Sequence, residues 1–108
     1  MTMKLQNEYE YATQMATSKV TDEALYEHAM NIAHTGASGI KKLDVRIAND
    51  LKYATMPVNV ICDWYAKYNC NDNHITTLYK RILKEHYPKT WDAVDGLSNL
   101  GKIRNNRG

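Results

Sequence analysis

The side chains able to do chemistry in this chain are two cysteines, four histidines and a basic helix-forming run near residue 80. Cys62, Cys70, His74 and His86 are the residues that could ligate a metal. Their spacings are C-x7-C, C-x3-H and H-x11-H. Structural zinc uses short paired spacings, so this set predicts no metal site and no cofactor. Cys62 lies in an apolar run and reads as a small core residue, whereas Cys70 and His74 flank a turn. His28, His34, His74 and His86 are scattered, and His28 falls on an inward helical position. A general base needs a nucleophile and an orienting group, and spacing assembles neither. There is no G-x-S-x-G, phosphate loop or H-E-x-x-H. Asp22, Glu23 and Glu27 open a helix, where the macrodipole already accounts for them. The expectation is a non-enzymatic protein with no catalytic residue.

Two kinds of binding chemistry remain. In the first, "VNVICDWYAKYNCNDNHITTLYKRILKEH" has the length of a helix-turn-helix. Thr76, Thr77, Lys80 and Lys84 would face outward with Arg81 at the margin, and hydroxyls with bases suit phosphates and base edges. An ordinary amphipathic helix with a solvated basic face explains the same pattern. The formal net charge is +2, from 14 bases and 12 acids, and Asp72 and Glu85 dilute the patch. Nucleic-acid binding is therefore the alternative reading. In the second, the eight tyrosines and two tryptophans, with no phenylalanine, exceed what one small core needs. Tyr and Trp are enriched in binding hot spots. Tyr11, Tyr26, Tyr53 and Trp91, with Lys80 and Lys84, are the expected protein-binding residues. The plain alternative is that Tyr stands in for Phe.

Positioning these residues requires helices. Hydrophobic residues make up 44% and charged residues 24% of the 108, as in a folded globular domain. Apolar spacing predicts a first helix over 4–16, with Leu5, Tyr9, Ala12 and Ala16 inward. Thr21 caps a second over 22–34, with Ala24, Leu25, His28, Ala29 and Ile32 inward. Gly36 can close it, and Ser38 can cap a third over 39–54, with Ile40, Leu43, Ile47, Leu51 and Ala54 inward. Pro57 must end that helix and start the next, because proline fits only the first helical turn and pushes its predecessor out of helical angles. The fourth helix runs to residue 68. Asp72 or Asn73 caps a fifth that runs to 86, with Ile75, Leu78, Tyr79 and Ile82 inward. Pro88 opens a short last helix containing "KTWDAVDGL". The fold class is all-α: five to six short helices packed as antiparallel αα-hairpins, in one domain over 1–100. Residues 101–108 form a flexible basic tail with Lys102, Arg104 and Arg107.

Internal similarity hints at a short helical-repeat stack. A shift of 36 carries Thr21, Ala24, Leu25 and His28 onto Pro57, Val60, Ile61 and Trp64. A shift of 35 carries Ile40, Leu43, Arg46, Ile47 and Asp50 onto Ile75, Leu78, Arg81, Ile82 and Glu85. Shared amphipathicity would explain part of this. The dense apolar run Val60, Ile61, Trp64, Tyr65 and Tyr68 makes the fourth helix the expected centre of the stack.

"VRIANDLKYATMPVNVICDWYA" resembles the leucine-rich-repeat-variant family of HEAT-like helical solenoids. Val45, Arg46, Ala48, Pro57, Ile61, Trp64 and Tyr65 carry the resemblance, while the family's Asn-Pro step is absent and only one copy matches. It implies an αα-repeat. The short, Tyr- and Asn-rich helical chain also resembles the small accessory proteins of T-even-type phages, of the lysis-inhibition kind. That resemblance implies a partner, the cytoplasmic part of a holin or antiholin, and no catalysis.

Two cysteines suggest reduced thiols in the cytoplasm. The N-terminus lacks the apolar core of a secretory signal, and no run approaches membrane-spanning length. The expected function is that of a small cytoplasmic regulator, an adaptor or inhibitor of phage type, acting on a protein partner. Self-association is compatible with it.

Overall fold

Proline and asparagine set the boundaries that matter most. Pro57 (φ −60°, ψ 139°) stands at the N-cap position, and its carbonyl accepts from Val60 N and Ile61 N at 3.0 and 3.1 Å. After eleven helical residues the helix closes on Asn69, whose φ of 50° is left-handed and whose N–H reaches Tyr65 O. Asparagine tolerates this region better than most residues. A computed structural model describes residues 6–35 and 42–96, and within them the chain forms helices and no strand. The helices are α1 (Gln6–Lys19), α2 (Asp22–Thr35), α3 (Leu43–Thr55), α4 (Val58–Tyr68), α5 (Asp72–His86) and α6, described over 88–96. The fold is all-α, as expected. No helix among the described residues is long and apolar enough to cross a membrane.

Several boundaries differ for identifiable reasons. α1 continues past residue 16 to Lys19, because the Thr17 and Ser18 hydroxyls bond back to the carbonyls of Thr13 and Met15 and so stay within the helix. Thr21 caps α2 as expected, its Oγ1 accepting from Ala24 N at 3.1 Å. The cap of α5 is Asn71, not Asp72 or Asn73. Asn71 Oδ1 accepts from His74 N, and His74 Nδ1 accepts from Asn71 N, so an imidazole completes a capping box. The helix after Pro88 is capped from a distance. Asp22, in the first turn of α2, accepts from Lys89 N and Thr90 N at 3.0 Å and from Thr90 Oγ1 at 2.7 Å. Tyr87 OH donates to Val20 O at 2.7 Å beside it. One carboxylate thus joins the beginnings of two helices, where both macrodipoles favour negative charge. Leu5, Gly36, Ser38, Gly39, Ile40 and the 101–108 tail lie outside the described residues.

The core is a seam between α3 and α5, the most extensively packed pair of helices. Leu43, Ile47, Ala48 and Leu51 of α3 are buried there, with Ile75, Leu78, Tyr79, Ile82 and Leu83 of α5. Polar pairs cross the seam in reverse order: Asp44 with Lys80, Asn49 with Thr76, Tyr53 with Asp72. The two helices therefore run antiparallel along that face. α1 lies across both with Tyr9, Ala12 and Ala16, α2 packs on α3, and α4 packs on α5.

The expectation that the fourth helix is central is overturned. α4 buries only Ile61 and Trp64; Val60, Tyr65 and Tyr68 are partly covered and Val58 is 68% exposed. Its extra apolar residues widen its flanks rather than place it between neighbours. Cys62, expected in the core, is exposed on its outer side. Ala24 and Ala54, expected inward, are also exposed, because they edge an open groove between α2 and α3. His28 is exposed as well, reaching over that groove to Asp50.

Candidate protein-binding surface

Ala24 and Ala54 edge a groove between α2 and α3. It encloses about 600 Å³ and is floored by Val20, Leu25 and Leu51. His28 Nε2 and Arg46 Nε meet Asp50 Oδ2 at 2.9 and 3.2 Å at one end. Tyr53 stands at its edge and is 52% exposed. The groove is largely apolar with a few polar groups, the composition typical of a binding cleft.

Tyr53 is exposed but held. Its hydroxyl donates to Asp72 Oδ1 at 2.9 Å, and Lys52 Nζ lies 4.4 Å from its ring centroid. The same carboxylate oxygen accepts from Tyr65 OH at 2.7 Å and pairs with Lys52 Nζ at 2.7 Å. Lys52 is fully buried, and its Nζ also donates to Thr76 Oγ1 at 2.7 Å and to the Asp72 carbonyl at 3.5 Å. Thr76 Oγ1 in turn donates to the Asp72 carbonyl and lies 3.2 Å from Asn49 Oδ1. Three helices are joined at this carboxylate. Partial burial alone would raise the Asp72 pKa, but the bonds from Lys52, Tyr65 and Tyr53 outweigh it and hold the group below the usual carboxylate range. The same bonds, with burial, push the Tyr53 and Tyr65 phenols up.

The other expected surface residues are dispersed. Tyr11, 38% exposed, meets Trp64 edge-on at 6.1 Å beside a smaller groove with Asn7, Glu8 and Val60. Tyr26 is half-buried beneath Lys89 Nζ at 4.6 Å, and Trp91 packs partly into the core. Lys80 pairs with Asp44 at 3.1 Å, and Lys84 is exposed. Tyr53 alone among these lines the α2–α3 groove.

The expected nucleic-acid set is split. Thr76, expected to face outward, is buried, because α5 turns that edge into the seam and spends the hydroxyl on Lys52. Arg81 stacks on the Tyr9 ring at 4.4 Å and pairs with Glu85. Thr77 and Lys84 are exposed, and the Thr77 hydroxyl bonds back to Asn73 O. The histidines serve separate local roles. His34 bonds Met30 O, His74 closes its capping box, and His86 lies beside the Tyr9 ring. Cys70 Sγ contacts Trp64 O. Among the described residues no three of His, Cys, Asp or Glu converge as a metal site would require.

Outside the groove, the pH response of the fold can be anticipated. Asp72 is held low, and the hydrogen bond from Tyr9, with Arg81 beside it, also lowers Glu85. Both contribute stability above the unfolded carboxylate range of about 4 and lose it as pH falls through their folded values. Burial first, then neighbouring acidic groups, push Tyr9 and Tyr87 up to about 12. Their neutral form is favoured by folding, so their contribution is full below about 10 and lost as pH rises toward those values. Thermal unfolding across pH is expected to show a plateau from about 5 to 9 with decline on both sides. Circular dichroism melts would reveal it.

What sequence reasoning missed is the support, not the aromatic residue. Lys52 carries no assignment in the sequence reading, and its partner is twenty positions away. No protein-family model, curated protein or solved structure matches the chain.

Proposed function

We propose that the chain is a small non-enzymatic protein-binding regulator whose contact surface is the α2–α3 groove with Tyr53 at its edge. The observation that carries this is that an exposed tyrosine is fixed from two sides, by Asp72 and by Lys52, next to an apolar cleft. A ring already ordered in the free protein loses little entropy on binding, and tyrosines in such settings supply hot-spot energy. Ala24 and Ala54 leave the rims low, so a partner helix can approach closely. The resemblance to phage lysis-inhibition accessory proteins makes a cytoplasmic holin or antiholin segment the first partner to try.

The test is capture from cells that naturally make the chain, using wild type, Tyr53→Ala and Ala24→Glu baits of matched stability. A single stoichiometric protein on wild type, weakened about 30-fold or more by Tyr53→Ala, is the expected result for a hot spot worth at least about 2 kcal/mol. Equal capture by all three baits would remove the groove from the account. Duplex DNA binding that weakens steeply with salt and depends on Thr77 and Lys84 would favour the nucleic-acid alternative.

A further inference from the structure

Resting on the groove reading above, we infer that the partner enters the α2–α3 groove with an amphipathic helix bearing one carboxylate side chain, and that Arg46 reads this carboxylate. The polar end of the groove carries the inference. His28 on α2 and Arg46 on α3 both reach Asp50 Oδ2, at 2.9 and 3.2 Å. One carboxylate oxygen thus ties the two walls together. Asp50 is the more covered member of its ion pair, 27% exposed against 44% for Arg46. Its charge is answered from both walls, so it offers little to a further cation.

Arg46 differs. Among the described residues it meets Asp50 through Nε alone, which leaves the Nη edge of an exposed guanidinium for another acceptor. That group is always charged, and its planar fork matches a carboxylate through two parallel hydrogen bonds. A partner carboxylate bound there would hold Arg46 between two acids, whereas a partner lysine would be repelled by the guanidinium. Glu27, exposed one position before His28, does not line the groove. Charge complementarity therefore selects an acid.

The rest of the lining fixes the pattern around that acid. The floor of Val20, Leu25 and Leu51 is apolar. Arg46 and Tyr53 stand seven positions apart on α3, two turns or about 10.5 Å. A helix lying along the groove places its acid at Arg46 and apolar side chains three or four and then seven positions away, toward Tyr53. The apolar contacts supply affinity. The acid sets direction and register, since a reversed helix would leave it against the apolar floor.

Screening the immobilised full chain against a library of helical peptides with one randomised face tests this. Peptides that lose binding to Tyr53→Ala are kept as groove binders. Asp or Glu is expected at one fixed position among them, with apolar residues at the spacings given. Replacing that acid by its amide should weaken binding to wild type tenfold or more, and binding to Arg46→Gln less than twofold. Arg46→Gln removes an exposed i,i+4 ion pair, so the variant should fold. Groove binders with no acidic preference, or an amide replacement that costs the same on Arg46→Gln as on wild type, would overturn this inference and leave the groove reading standing. A screen with no Tyr53-dependent binder would overturn the groove reading and this inference with it.

Discussion

Asp72→Ala is expected to destabilise the protein by about 3–5 kcal/mol, the range for stripping a buried charge of its partner. The loss has little to do with the aspartate itself, which is 41% exposed. It arises because Lys52, with no accessible surface, would lose its principal counter-ion. A buried charge without a partner is costly, whereas an apolar replacement of the pair can be close to neutral. Lys52→Met alone should therefore cost less than Asp72→Ala. The double variant Lys52→Met, Asp72→Ala should be more stable than Asp72→Ala alone. Chemical denaturation of the four proteins gives the coupling directly. Additive losses would mean that Lys52 reaches water when Asp72 is absent.

Trp64→Ala is expected to cost about 3–5 kcal/mol, although α4 is a flanking helix. Trp64 and Ile61 are the only buried anchors α4 has among its described side chains. Losing the indole removes the contact that Tyr11 makes edge-on and leaves a void beneath α4. Val58→Ala, on the same helix but 68% exposed, should change stability by less than about 0.5 kcal/mol. The contrast matters because both residues belong to one apolar run. A uniform loss along that run would restore α4 to the centre; a loss confined to Ile61 and Trp64 places it on the flank. Urea midpoints of Trp64→Ala and Val58→Ala settle which holds.

These two residues also mark what was legible in the sequence. Helical periodicity located α5 closely, because its apolar residues recur at one face and its ends carry strong punctuation at Asn71 and Pro88. It was sound for the α3 core as well. It misread α4, since a broad apolar stripe is consistent with burial on two sides or with partly covered flanks, and only tertiary packing distinguishes them. Leu25 and Ile61, Leu43 and Leu78, and Ile47 and Ile82 are all buried, as helical spacing alone accounts for, but His28 and Trp64 are not alike. His28 pairs across a groove while Trp64 fills one. The candidate surface was legible as an excess of tyrosine and no further. Nothing local distinguishes Tyr53 from Tyr26; the difference is Asp72, brought in from the start of α5, and a lysine whose burial no window of sequence reveals. The distant cap from Asp22 to Thr90 is invisible for the same reason, because its two halves are 68 positions apart.

The most direct measurement is photo-crosslinking in cells that naturally make the chain, with a benzophenone amino acid replacing Tyr53 in one version and Lys84 in another. The bulky aromatic substitute suits the Tyr53 position, and both sites are exposed. One protein adduct of defined mass at position 53, and none at 84, is the expected result. Adducts to protein or nucleic acid at position 84, with none at 53, would contradict the account.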